Sequence, residues 1–180
     1  MEKELKINQK IYSLLLAFVI GGIIGFIYEE IFYKIDLGYF VWRGSTFGPW
    51  IPVYGFGSVV LAIITEKVKK HPLWTFVLCL IGSFVLEFGT GFVLDKVFGL
   101  RLWNYYEEIW NWGNIGGYVC FRSIALFTLA GMFLRYSLLP LLEKLVLKLG
   151  DKKAGIISIT LSSLFIIDII AYMIVHYFIK

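Results

Sequence analysis

Residues 43–57 read RGSTFGPWIPVYGFG. The stretch lies between two strongly apolar segments and carries four glycines and two prolines, with Phe47, Trp50, Tyr54 and Phe56 among them. It is not a regular transmembrane helix, because Pro49 and Pro52 each lack a backbone donor and clash with the turn before them. It is also too aromatic for an ordinary solvated loop. Irregular backbone at membrane depth is tolerated only where protein buries it or where it lines a wet cavity. The stretch is therefore either a site or a tightly packed plug.

Composition sets the membrane context. Of 180 residues, 59% are hydrophobic and 17% charged, with a mean hydropathy of +0.78. A soluble domain is about 45–50% apolar and about 25% charged. The chain reads as an all-α integral membrane protein, a single polytopic domain over residues 1–180. The net charge of +4 is accounted for by topology and gives no argument for a nucleic-acid partner. Cys79 and Cys120 lie in apolar spans and read as small buried hydrophobes, not as a metal or disulfide pair. The apolar run over residues 11–28 is as long as a crossing needs and is followed by no A-x-A cleavage site, so it reads as a retained first helix.

Working outward gives about five transmembrane helices: residues 11–32, 53–65, 72–94, 117–139 and 154–178. The second is short for the ~20 residues of a crossing; a re-entrant segment before it would complete the span. Ten lysines flank the ends at residues 3–10, 67–70 and 144–153, against five basic residues on the other side. The positive-inside rule then places the N-terminus in the cytoplasm and the C-terminus outside a cell membrane. The long loops 33–52 and 95–116 share the outer face. Their aromatic residues are either an interfacial belt or a folded cap over a site. The inner segment 140–153 is amphipathic and reads as a helix resting on the interface or as a docking helix for a cytoplasmic partner. Residues 25–32 (GFIYEEIF) and 91–98 (GFVLDKVF) match at three positions and are conservative at three more. This is a weak parallel repeat of helix–loop–helix units, and transporters often place sites between such repeats.

Charges at membrane depth cost about 2.5–3.5 kcal/mol or more, so they face the protein interior, pair or lose their charge. By depth, Glu29, Glu87, Arg122 and Arg43 meet near the outer side, either as a buried ion pair or as a polar cavity for a charged head group or ion. Asp168 sits near the middle of the last span with no evident partner; it is either protonated or bonded to Ser83 or another hydroxyl. Arg135 near the inner end reads as snorkelling to the interface. Gly21 and Gly25, and Ser158 and Ser162, have the small-xxx-small spacing of close helix contacts. The chain has no GxxxxGK[ST] and no HExxH, and its two histidines, His71 and His176, fall on opposite faces. No catalytic residue, metal site or cofactor is expected.

The ordered elements resemble the ABC-transporter type IV (CmpB-like) membrane family. Its pattern has a glutamate ending the first helix, here Glu29, then an RG-x-x-x-GP-x-x-P-x-YG-x-G stretch, here Arg43, Gly44, Gly48, Pro49, Pro52, Tyr54, Gly55 and Gly57. A leucine–glutamate and TG element matches Leu86, Glu87, Thr90 and Gly91. A tryptophan–aspartate–tyrosine element matches Trp103, Asn104 and Tyr105, with asparagine in place of the usual aspartate. Asn114 and Gly117 match the element opening the next helix, with Cys120 after it. The resemblance covers roughly residues 21–127. It implies a permease-like transport subunit, with a cytoplasmic ATPase as partner. Its candidate substrate-binding residues are Glu29, Arg43, Tyr54, Glu87, Trp103, Asn114 and Arg122, and the substrate would be a small molecule or a lipid-like amphiphile. Two other functions remain open on the residues alone: an enzyme acting on lipid-linked substrate through Glu29 and Glu87, or a scaffold whose outer aromatics bind another membrane protein.

Overall fold

The computed structural model describes residues 5–42, 44 and 46–178. It is helical, and its described residues form no strand beyond one isolated bridge between Ile115 and Val119. Helix α1 spans Ile7–Leu37, α2 Pro52–Thr65, α3 Pro72–Phe98, α4 Phe121–Phe133 and α5 Leu139–Met173. Between α4 and α5 lies a π-helical turn, Leu134–Leu138. Three helical stretches are long and apolar enough to cross a membrane: Ile7–Leu37, Pro72–Phe98 and Phe121–His176. Helix α2 has 14 residues, about 21 Å at 1.5 Å per residue, which is short of a ~30 Å hydrocarbon core.

The helix ends follow local chemistry. Pro52 and Pro72 stand in the first turns of α2 and α3, where their missing N–H groups cost nothing. Helix α1 ends on Gly38 and α3 on Gly99, both left-handed, with φ of 84° and 68°. The segment 140–153 is not a loop. Helix continues from α4 through the π turn into α5 and breaks only at Gly150, with φ 74° and ψ 160°. The π turn precedes Pro140, whose ring clashes with the carbonyl four residues back in a regular helix; widening the turn there lets the helix pass a proline. Part of the apolar face of segment 140–153 is buried: Leu142 and Val146 join Leu16, Ala17, Leu61 and Ala62 in the main core, while Leu141 and Leu145 stay exposed.

Helix α1 is the centre of the bundle and packs on α2 and α5, while α3 packs on α2 and α4. Small residues permit this. A Cβ on Gly25 would fall inside the Tyr54 ring, one on Gly21 inside the Ser58 side chain, and one on Gly22 within 2.5 Å of Phe165. Ser158 is fully buried in α5, and Ser162 donates to the Leu15 carbonyl at 3.2 Å. Below this, Gln9 donates to Asp151 at 2.6 Å, which ties the start of α1 to the helix just past the Gly150 break.

The loop before α2 is held against the bundle by Asp168 of α5. Its carboxylate accepts from Phe47 N (3.1 Å), Gly48 N (2.8 Å) and Trp50 Nε1 (2.6 Å). Ile51 N donates to Gly22 O, near the middle of α1, at 3.0 Å. Trp50 also stacks on Phe165, ring centroids 4.8 Å apart. Asp168 is thus neither bonded to Ser83 nor short of partners: its donors come from backbone and indole, groups that a search for hydroxyls passes over.

Arg135 differs from expectation as well. It does not snorkel; it is 6% exposed and closes the C-terminal end of α2. Its guanidinium donates to the Ala62 carbonyl, to Thr65 Oγ1 at 2.9 Å and to Glu66 Oε2 at 2.7 Å. The carbonyls at a helix C-terminus lack intrahelical donors and attract a cation, so the buried charge is fully used.

Two outcomes are expected. Asp168→Ala leaves three donors without their acceptor, those of Gly48 and Trp50 partly buried, where an unmet donor costs on the order of 1–3 kcal/mol. It should lower the thermal unfolding temperature of the detergent-solubilised chain by several degrees and open residues 46–51 to protease. Burial alone would raise the Glu66 carboxyl, but hydrogen bonds from Lys69 and Arg135 outweigh it and hold the group below its usual range. A depressed folded value means the contact stabilises above the unfolded pKa of about 4.3 and is lost as pH falls through the folded value. Glu66→Gln should therefore flatten the acid limb of a stability–pH curve.

Candidate functional site

A partly open cavity of about 620 Å³ lies at the end of the bundle that carries the two long loops. Its walls come from α1 (Tyr28, Glu29, Phe32), the loop before α2 (Trp42, Gly44, Ile51), α2 (Tyr54), α3 (Glu87, Thr90), the loop after α3 (Trp103, Tyr105, Glu108) and α4 (Arg122, Ser123). The volume falls in the ~300–1,000 Å³ range of small-molecule sites.

Each wall residue has a local cause. Glu29 stands on α1 one turn beyond Gly25, whose missing side chain admits Tyr54; the Tyr54 hydroxyl then donates to Glu29 at 2.8 Å. Tyr54 lies flat against Phe127 of α4, ring centroids 4.7 Å apart. On α3, Gly91 makes room for Trp103, which donates its indole N–H to the Tyr118 carbonyl at 2.9 Å. The short 3-10 turn Tyr105–Glu107 is capped by Asn104, whose side chain accepts from Tyr106 N and from Arg101 at 3.1 Å. That turn places Tyr105 against α3, where its hydroxyl donates to Glu87. Burial, then the Glu87 charge and hydrogen bond, push the Tyr105 phenol well above its usual range, so it remains a donor.

Glu87 is 3% exposed, and its second carboxylate oxygen has no hydrogen-bond partner. Arg122 bonds Glu108 through Nη2 at 2.5 Å and lies over the Phe32 ring, 3.8 Å from its centroid, within cation–π range. Its Nε and Nη1 are buried and make no hydrogen bond of good geometry, the Tyr28 hydroxyl being the polar group beside the guanidinium. Tyr33 donates to the same Glu108 carboxylate. Buried polar atoms are nearly always satisfied; here a donor pair and an acceptor are left over in the wall of one cavity. They flank Tyr105, which bonds Glu87 and sits 5.3 Å from the Arg122 guanidinium carbon, measured to the ring centroid.

Of the residues singled out in the sequence, Glu29, Tyr54, Glu87, Trp103 and Arg122 line this cavity. Arg43 lies outside the described residues, though its neighbours Trp42 and Gly44 are in the wall. Asn114 is not in the wall; its side-chain oxygen accepts from Gly117 N at 2.7 Å and shapes the loop before α4. Sequence reasoning missed Glu108. A carboxylate in a polar loop reads as solvated, yet its side chain is 6% exposed; the buried Arg122 that needed a counter-ion was the available signal. It also passed over Tyr105 as a ligand of Glu87, although the two stand in adjacent elements.

A helical bundle with three stretches long and apolar enough to cross a membrane is that of a multi-pass membrane protein. The sequence profile of one family, Putative ABC-transporter type IV (ABC_trans_CmpB), matches residues 16–173, nearly the whole chain, and the chain belongs to that family. Comparison with curated proteins gives no match, and neither does comparison with solved structures.

Removing one member of a buried ion pair leaves the other unpaired, at about 3–5 kcal/mol, whereas replacing both with apolar groups is often close to neutral. Glu108→Leu and Arg122→Leu should each lower thermal stability strongly, and the double variant should recover most of the loss. A double variant no better than the singles would show that the pair does not act as a unit.

Proposed function

We propose that the chain is the membrane-spanning subunit of a transport system and that it takes its substrate in the cavity between α1, α2, α3 and α4. One observation carries the reading: Glu87 and Arg122 contribute buried, unpartnered acceptor and donor atoms to the wall of a cavity large enough for a small molecule. In this reading a bound ligand supplies the missing partners, with Glu29, Tyr54 and Trp103 as further contacts. Family membership supports the transport class.

The same reading gives the membrane topology. Helix α1, the re-entering loop with α2, helix α3, helix α4 and the part of α5 beyond Gly150 make five crossings of one polytopic domain in the cell membrane. The lysine-rich end faces the cytoplasm and the cavity faces outward. Irregular backbone between residues 46 and 51 is compatible with membrane depth because Asp168 accepts from Phe47 and Gly48 and the Gly22 carbonyl accepts from Ile51. An ATPase partner docks on the lysine-rich end, where Lys144, Lys148, Lys152 and Lys153 surround the Gly150 break.

The test is purification of the full chain in mild detergent and mass spectrometry of what stays bound. A small molecule or lipid should accompany the wild type and fall about tenfold or more in Glu87→Gln and Arg122→Lys, the loss of a hydrogen bond to a charged group. Equal retention by all three would move the site elsewhere. An ATP-hydrolysing subunit should co-purify and be lost when Lys148, Lys152 and Lys153 are changed to glutamate.

A further inference from the structure

The cavity does not end at Tyr54. A second, almost wholly apolar space of about 310 Å³ lies on its far side between α1, α2 and α4. Tyr28, Tyr54, Gly57, Leu126 and Phe127 line both spaces. The far walls include Ile24, Leu129 and Phe133, which are 44%, 64% and 54% exposed on the outer surface of the bundle. The groove therefore opens sideways, to the region that hydrocarbon occupies around a membrane protein. A chamber with charged groups in its wall, beside an apolar slot with a lateral mouth, suits an amphiphile's two halves.

The chamber's unmatched atoms restrict the head group. Arg122 offers two buried donors and Glu87 one buried acceptor, with Glu87 at the Tyr105 hydroxyl and Arg122 over the same ring. A phosphate only accepts, so it would answer Arg122 but crowd the Glu87 carboxylate with a like charge. A quaternary ammonium has no N–H and would set a cation against Arg122. A hydroxyl both donates and accepts, so neighbouring hydroxyls satisfy both sides without bringing a charge. Trp103, fixed edge-on to the Tyr118 carbonyl, presents a flat aromatic face suited to the apolar side of a sugar ring.

Building on the reading of this cavity as the substrate site, we propose that the substrate is an amphiphile with an uncharged polyhydroxyl head, a glycosyl or polyol group held between Glu87 and Arg122, with its hydrocarbon chain in the groove beyond Tyr54. The chain enters from the bilayer and the head follows into the chamber, with Tyr54 and Phe127 marking the boundary between the two halves.

The experiment is equilibrium binding of radiolabelled octyl glucoside, below its micelle concentration, to the full chain in phosphatidylcholine nanodiscs, with empty nanodiscs subtracted. Saturable binding is expected, and glucose should displace the label at least about tenfold less well than octyl glucoside, reflecting chain burial. Glu87→Gln and Arg122→Lys should each weaken binding about tenfold or more. Tyr105→Phe, which leaves both charges in place, serves the same purpose if either variant fails to fold. Leu129→Trp, which narrows the groove from its exposed side, should weaken octyl glucoside and leave glucose unchanged. Displacement by octyl phosphate or octyltrimethylammonium as effective as by octyl glucoside overturns the uncharged head. Glucose equal to octyl glucoside overturns the groove. A different solute that binds and is lost in Glu87→Gln, with no glycosyl probe binding, overturns the substrate class and leaves the site standing. If nothing bound responds to Glu87→Gln, Arg122→Lys or Tyr105→Phe, both fall.

Discussion

The fold depends on one carboxylate. Asp168 gathers the N–H groups of Phe47 and Gly48 and the indole N–H of Trp50, and so holds an irregular chain against α5 and the middle of α1. Each party needs the other. An isolated carboxylate at membrane depth is costly, and so are unpaired backbone donors in the same place. Together they cancel. With the loop fixed, α2 starts at Pro52, Tyr54 reaches Glu29, and Ile51 and Trp42 close one wall of the cavity.

Around that constraint the buried charges divide into two kinds. Arg135 and Asp168 are saturated: every feature of their surroundings answers their charge, and they hold helix ends and loops in place. Glu87 and Arg122 are only partly answered. The distinction separates answered from unanswered polarity more sharply than depth does, since all four residues lie on helices that the sequence marks as apolar. It also explains why the Arg122–Glu108 pair sits over Phe32: the ring and the counter-ion hold the guanidinium in one orientation, which leaves its remaining N–H groups at the cavity wall.

Much of this arrangement was legible in the residues. The glycine–proline stretch read as neither helix nor solvated loop, because two prolines exclude the first and four aromatics the second. Gly21 and Gly25 announced the close approach of a partner helix, and Glu29, Glu87 and Arg122 were brought together by their depth alone. What stayed hidden involved partners far away in sequence. Glu108 lies in a loop whose polarity suggests solvent, and only the fold covers it. Asp168 and Arg135 bind mainly backbone groups, which every residue possesses and which therefore leave no trace in residue identity. The continuity of α4 and α5 was missed because Pro140 is a helix breaker by local rule; the π turn that accommodates it is set by the packing of Leu134, Leu138 and Leu142 on α1 and α2.

The Asp168 contacts span 118 to 121 positions of sequence. During synthesis the loop emerges early and its acceptor comes last, when all the other helices have left the ribosome. Until then, the N–H groups of Phe47 and Gly48 and the Trp50 indole have no acid to bind. The final helix therefore supplies the last partner of a loop made long before it, and the wall that this loop forms is complete only once Asp168 is in place. A nascent chain halted before residue 168 would carry four helices' worth of sequence and no finished chamber.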